Sequence, residues 1–478
     1  MGLQKHVPNP PSEADAAEEP TALRLPTVPA GDAIGRRSLS AHLDYVLNLV
    51  QPLEPFGINL IDAWGHTLCE DIFGDGDVPD VPVVEVDGYA FAFQSITATP
   101  PGYRPALALT GMPRRAVAVS PEPAEPKKSR SKTKKSVPAT PTTAPPETVE
   151  VSSLGLGQTV LVQAGEALPF GADTVVARNQ VEVDSIGSTV IINTSLAPGD
   201  WVRAVGSEAQ DGQLLMPQGT VLDDRSSAIL AAAGFERVLV RPRTRVAIAQ
   251  VLDSAVESNF AGRRISNLGT YLMNGAARAD GATVWRFEID LAQPVISRER
   301  LNDELIRADL VLIIGGLTDD GVDHRLAELM ASMGVVDIAE VTMSPGRWHG
   351  FGIIGDDRTP TVVLPDDPTA LLVAYHCFAR PVLRKLTGAE PLTHEPVLCY
   401  TEHDFESDGG ITQLVPCRVR QKGDRYLASE IAPRRHSLLP TLVAADALVL
   451  LPADRDRILK GQPVPCWLLG DKIPVNAG

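Results

Sequence analysis

The spacing of apolar residues changes period along this chain, and the changes mark its elements. Between Asp309 and Leu329 (DLVLIIGGLTDDGVDHRLAEL) an unbroken apolar run, Leu310 to Ile314, ends in Gly315-Gly316. A polar loop follows, and apolar residues then recur at Val322, Leu326, Leu329, Met330 and Met333. This predicts a buried strand, a glycine turn and an amphipathic helix, a geometry that often presents backbone N–H groups to a phosphate. The same alternation runs from Thr244 to Gly388. VAIAQVL, ATVWRF, DLVLIIGG, VVDIAEVTM and TVVLP read as strands, and LGTYLMNGAARADG, LNDELIRA, VDHRLAELMASMG and PTALLVAYHCFARPVLRKLTG as helices. Strands alternating with helices predict a doubly wound α/β layer, whose ligands sit beyond the carboxyl ends of the strands.

Outside that region the pattern shortens. Residues 39–53 have helical spacing behind Ser38 or Ser40 as N-cap, and INLIDAWGHTLCEDI is expected to form a second helix entered through Asp62. From Thr159 to Leu196, TVLVQAG, ADTVVARNQVEV and STVIINTSL read as short strands between Gly, Pro and Asp turns, and a small β domain follows from Pro391. The segment PEPAEPKKSRSKTKKSVPATPTTAPP is poor in apolar residues and dense in Pro, Ser, Thr and Lys. Such a composition does not offset ordering entropy, so a disordered insertion is expected at 121–148. Its Lys127, Lys128, Arg130, Lys132, Lys134 and Lys135 form the one strong positive cluster of the sequence, a candidate docking surface for a partner.

Composition narrows the class. The chain has 478 residues, 44% hydrophobic and 22% charged, as in soluble multidomain proteins, and a formal charge of −17 argues against a general nucleic-acid binder. No apolar stretch approaches the roughly 18 residues needed to span a bilayer, and the acidic, Pro-rich N-terminus lacks the apolar core of a signal peptide. Five scattered cysteines without a CxxC pair are expected to be reduced thiols of a cytoplasmic protein. The organisation expected is a leader (1–37), a discontinuous helical and connecting domain (38–74 and 197–240), a β-rich domain (75–196), an α/β domain (241–389) and a C-terminal β domain (390–478).

Several ordered landmarks then give a resemblance. Asp87-Gly88-Tyr89-Ala90, Gly171-Ala172-Asp173 before Thr174-Val175-Val176, Val202-Arg203 with Gly206, Gly315-Gly316 with Asp323, Pro345-Gly346-Arg347, and Leu364-Pro365 with Pro368 occur in this order. Together they resemble the molybdopterin molybdenumtransferase family, which includes bacterial MoeA and the E domain of gephyrin. The resemblance implies a multidomain subunit of α/β plus β class that forms a homodimer. It implies adenylylated molybdopterin and molybdate as substrates, with magnesium as the divalent cation. By the same carry-over Asp87, Asp253 and Asp323 are candidate catalytic residues, with Asp253 also a metal ligand. Gly88, Tyr89, Asp173, Gly315, Gly316, Thr318, Gly346 and Arg347 are candidate substrate-binding residues.

The motifs also depart from the family's pattern. Asp319, Asp320, Asp366 and Asp367 stand in loops that the resemblance assigns to a pyrophosphate-bearing ligand. Each close like-charge pair costs on the order of 1 to 4 kcal/mol. Arg347 can replace one cation, with a different geometry from lysine. The aromatic loop Trp348, His349 and Phe351 offers Trp348 and Phe351 as anchors for a protein partner. The expectation is a family member with an altered site that serves as a binding scaffold for a cytoskeletal, division or membrane-associated protein. A working transferase is the alternative.

Overall fold

The computed structural model describes residues 27–110, 153–184, 189–254, 268–318, 320–431 and 439–470. The basic segment with Lys127, Lys128, Arg130, Lys132, Lys134 and Lys135, and Asp319, lie outside the described residues. The chain separates into two compact units: Met1–Asp71 with Pro217–Ala228 and Phe235–Gly478, and Ile72–Met216 with Ile229–Gly234.

In the larger unit a six-stranded sheet is built from β1 (Arg245–Leu252), β2 (Thr283–Asp290), β3 (Leu310–Ile314), β4 (Gly334–Glu340), β5 (Trp348–Ile354) and β6 (Thr359–Leu364). Its spatial order is β2-β1-β3-β6-β5-β4, with β2, β1, β3 and β6 parallel and β5 antiparallel to both of its neighbours, β6 and β4. Each strand divides its side chains between two cores. Val246, Ile248, Leu310, Leu312 and Ile314 face α1 (Leu39–Leu49), α2 (Leu268–Ala279) and the long helical run after Asp367. Ala247, Ala249, Val311 and Ile313 face α3 (Pro294–Leu305) and α4 (His324–Ala331). The expected doubly wound layer is therefore present, and Ser38 caps α1 by accepting from the Ala41 N–H at 3.1 Å.

The helical run after β6 comprises α5 (Pro368–Ala374), a π-turn (Tyr375–Ala379) and α6 (Arg380–Thr387), which ends at Gly388 in the left-handed conformation. The C-terminal strands close on themselves. Thr412–Lys422 pairs with Arg425–Glu430, which pairs with Val397–Thr401, then Pro463–Leu468, then Ala447–Leu451, which returns to Thr412–Lys422. Closure removes the free sheet edges.

Residues 58–72 do not form the expected helix. Phe56–Asn59 and Thr67–Leu68 are strands on either side of Arg237–Arg241, and only a short 3-10 turn, Leu60–Asp62, is helical. The backbone groups find partners on a strand distant in sequence, a gain that local periodicity does not register.

The smaller unit carries a six-stranded sheet in the order Thr174–Ala177, Gly88–Phe91, Gln158–Val162, Ala106–Leu109, Thr189–Ile192 and Val181–Val183. This is the expected β-rich region. Val84, Ala90, Val160, Val162 and Val175 pack on one face, and Tyr89, Phe91, Leu107, Val176, Val190 and Ile192 on the other.

Phe351 is corrected here as a partner anchor: it is fully buried in the larger core, between the sheet and the helical run. Phe351→Ala is expected to cost about 3–5 kcal/mol in urea unfolding. A second expectation concerns pH. Burial holds His42 and His394 down to about 4, and His349 and His376 down to about 3, so all four stay neutral in the folded unit. The unfolded chain takes up these protons near pH 6.5 and the folded chain does not. Stability is therefore full above about 6.5 and is lost as pH falls from there toward 4. A urea midpoint unchanged between pH 7 and pH 4.5 would contradict this.

Candidate functional site

In a parallel sheet the loops leave the carboxyl ends of neighbouring strands together. The pairs Gln250–Ile314 and Ile314–Leu364 are in register on β1, β3 and β6. Past this level lie, side by side, the end of β1 (Val251-Leu252) with Asp253 after it, and the loops Gly315-Gly316-Leu317 and Pro365-Asp366-Asp367. Gly316 has φ +73°, and a Cβ there would lie 2.4 Å from Cδ2 of Leu326 on α4, so this turn needs glycine. The Asp323 N–H closes the loop on the Gly316 carbonyl at 2.7 Å.

Beyond these ends lies a cleft of about 630 Å³ lined by Leu317, Pro345, Gly346, Arg347, Trp348, Pro365, Asp366, Asp367 and Ala370. It gathers the sequence-derived candidates Gly346, Arg347 and Trp348 beside two of the added aspartates. Arg347 is exposed, 3.7 Å from the Glu340 carboxylate. Gly346, at φ +73°, approaches Ala370 so closely that a Cβ would lie 3.0 Å from the alanine Cβ. The Thr318 backbone pairs with Gly321 in a small hairpin next to this cleft wall. A second cavity of about 400 Å³ lies at the opposite, amino edge of the parallel strands, beyond Leu305 of α3 and Ser332 after α4. Arg298, Asp356 and Asp357 also line it, and Arg298 Nη2 donates to the Ser332 carbonyl at 3.3 Å.

Asp323, Asp366 and Asp367 at the carboxyl edge are already engaged. Asp367 Oδ1 accepts from the N–H groups of Thr369 and Ala370 at 3.1 and 2.9 Å, capping α5. Asp366 Oδ1 lies 3.4 Å from Nε2 of buried Gln250, whose Oε1 accepts from Thr270 at 3.2 Å. Asp320 is exposed. Asp323 caps α4 by accepting from the Arg325 N–H at 2.9 Å.

The side chain of Arg325 completes a bridge that the sequence reading missed. Its Nη2 donates to Asp253 Oδ2 at 2.8 Å and to Asp323 Oδ2 at 2.7 Å, while Nε donates to Asp323 Oδ1 at 3.1 Å. The Arg325 bond is the leading cause that holds the Asp323 carboxyl below the usual carboxylate range, and both aspartates push the guanidinium further up. The available signals were Arg325 two residues after a helix cap and a lone glutamine, Gln250, in an apolar strand.

The implied divalent cation does not fit this arrangement. Magnesium needs about six oxygen ligands in near-octahedral order. Here three of the four carboxylate oxygens of Asp253 and Asp323 already accept from Arg325. The fourth, Asp253 Oδ1, is buried without a partner among the described residues. No group of three or more His, Cys, Asp or Glu able to hold a metal occurs among the described residues. A dication about 4 Å from the guanidinium would meet roughly 8 kcal/mol of repulsion at an effective dielectric of about 20.

The remaining sequence candidates belong to the smaller unit and have structural partners. Asp87 Oδ1 accepts from the Ala164 N–H at 2.9 Å, and Asp173 Oδ1 from the Phe93 N–H at 2.6 Å. Tyr89 is buried and packs in the sheet core. Gly88 is required by strand spacing, because a Cβ would lie 2.1 Å from the Val176 carbonyl oxygen.

Comparison with known proteins places this geometry in a family. Residues 37–234 match the MoeA N-terminal region (domain I and II), and residues 400–469 match the MoeA C-terminal region (domain IV). Molybdopterin molybdenumtransferase 1 of Mycobacterium tuberculosis is 30% identical over 321 residues, 66% of this chain and 75% of that protein. The chain belongs to the MoeA family. The molybdopterin molybdenumtransferase of a Nostoc species is also 30% identical, over 53% of this chain and 58% of its own length. The crystal structure of a molybdopterin biosynthesis MoeA protein from Pyrococcus horikoshii OT3 superposes with a TM-score of 0.66. At 19% identity, over 91% of this chain and 100% of that one, it carries the fold alone. The MoeA architecture of mixed α/β and β-rich domains with a C-terminal barrel is shared. Among the described residues no helix is long and apolar enough to cross a membrane.

Asp323→Ala is expected to cost about 1 kcal/mol at pH 7 through loss of the α4 cap. A depressed carboxylate stabilises above its unfolded pKa and ceases to as pH falls through its folded value. The cost should therefore shrink below about pH 4, read from paired urea titrations at pH 7 and pH 3.

Proposed function

We propose that this MoeA-family protein of molybdenum cofactor biosynthesis has exchanged catalysis for binding, and acts as a homodimeric scaffold for a protein partner. One observation carries this reading. Asp367 caps the helix that opens the cleft, so the backbone N–H groups of Thr369 and Ala370 are already accepted by a carboxylate of the chain itself. A phosphate arriving there would compete with that cap and meet its charge. Trp348 and Arg347 at the cleft wall are residue types favoured as interface anchors, which suits a peptide segment of a partner.

The second reading is a working transferase that inserts molybdate into adenylylated molybdopterin. It is favoured by the transferase name of the Mycobacterium tuberculosis relative and by Arg347, a cation in the same cleft.

Titration of the purified full chain with adenylylated molybdopterin, with and without magnesium, separates the two. The scaffold reading expects no micromolar binding in either condition, and no rescue of molybdoenzyme activity in a bacterial strain lacking its own transferase. Micromolar binding that requires magnesium, or rescue, would overturn it in favour of the transferase.

A further inference from the structure

The Asp253–Arg325–Asp323 bridge joins residues far apart in sequence. Asp253 follows β1, whereas Asp323 and Arg325 open α4, so the contact pins the end of a central strand to a helix packed on the sheet. Arg325 uses two nitrogens of one planar group to reach both carboxylates, at 2.7 to 3.1 Å. Its backbone N–H also donates to Asp323, which fixes the residue on the first turn of α4. Side-chain exposures of 35% for Arg325, 19% for Asp253 and 21% for Asp323 place the group partly out of water, where an unpaired charge is disfavoured. A guanidinium is suited to this task because its donors lie in a rigid fork and its charge is permanent.

We infer that Arg325 is a resident cation that holds the Asp253–Asp323 carboxylate pair in place of a divalent metal ion. Two carboxylates brought together at the carboxyl edge of the sheet need a counter-charge, and the chain supplies its own. The loop geometry is then set by a covalently attached group and does not respond to the supply of divalent cations. Removing that group leaves the two carboxylates without their partner and opens a pair of oxygen ligands to a free dication.

This inference goes beyond the proposed function and does not rest on it. A protein that rescued a transferase-deficient strain while leaving this pair metal-free would overturn the scaffold reading and keep the resident cation.

The test uses manganese(II) alone as the probe and the full chain throughout. Wild type should bind Mn²⁺ at this site no more tightly than millimolar, with the same titration curve in Asp253→Asn, followed by electron paramagnetic resonance of the free ion. Arg325→Gln should bind at least about tenfold more tightly than wild type, and Arg325→Gln/Asp253→Asn should lose the gain. Mn²⁺ should also raise the melting temperature of Arg325→Gln and leave that of wild type unchanged, since a ligand of the folded state stabilises by mass action. Micromolar binding to wild type that disappears in Asp253→Asn would overturn the inference. So would a folded Arg325→Gln that binds no better than wild type. Should Arg325→Gln fail to fold, the comparison of wild type with Asp253→Asn still decides.

Discussion

Burial of the central strand Leu310–Ile314 on both faces is the constraint from which the candidate site follows. Every residue of this strand is fully buried, with Leu310, Leu312 and Ile314 in one core and Val311 and Ile313 in the other. Its backbone groups are taken up by parallel neighbours on both sides, so the strand cannot slip by one residue without exchanging its two core faces. The chain therefore leaves the sheet at one fixed point. The next residues are Gly315 and Gly316, both at positive φ, and the turn they make brings α4 down onto the second core. The site lies where it does because β3 and β6 end at the same level, with β1 running two residues past it.

Charge at that level is held by internal hydrogen bonds and one guanidinium. A sheet edge that gathers Asp253, Asp323, Asp366 and Asp367 would be unfavourable if the carboxylates stood free. Asp367 and Asp323 instead accept from backbone N–H groups at helix starts, where the helix dipole favours a negative charge. Asp366 stands beside the Gln250 amide, and Arg325 takes up Asp253 together with Asp323. Like charge crowded into these loops thus becomes a set of local hydrogen bonds. The same bonds occupy the N–H groups of Arg325, Thr369 and Ala370 at the starts of these helices.

The family fold persists here at 19% identity to the Pyrococcus horikoshii structure because it depends on pattern rather than on particular residues. Two-sided apolar strands, helices with one apolar face and a barrel closed by the Thr412–Lys422 and Ala447–Leu451 pairing can be built from many side chains of suitable size. Loop residues carry no such tolerance. A glycine at positive φ or a carboxylate at a helix start has a specific local consequence.

The sequence by itself determined the elements of the α/β region, the β-rich and C-terminal strand regions, and the family. Apolar period, glycine turns and ordered motifs are local signals, and they survive without knowledge of the fold. It also places the carboxylates of Asp320, Asp366 and Asp367 in the loops at this edge of the sheet. What the tertiary structure decided was the partner of each charged or aromatic group. Phe351 and Tyr89 proved to be core residues because strand direction, not loop composition, sets which way a side chain points. Phe56–Asn59 and Thr67–Leu68 became strands because Arg237–Arg241 lies between them in space. Arg325 meets Asp253 across 72 positions of chain, a contact made only when β1 and α4 are packed against the same sheet. Pairing at that range is a property of the folded layer, and no local pattern of the sequence contains it.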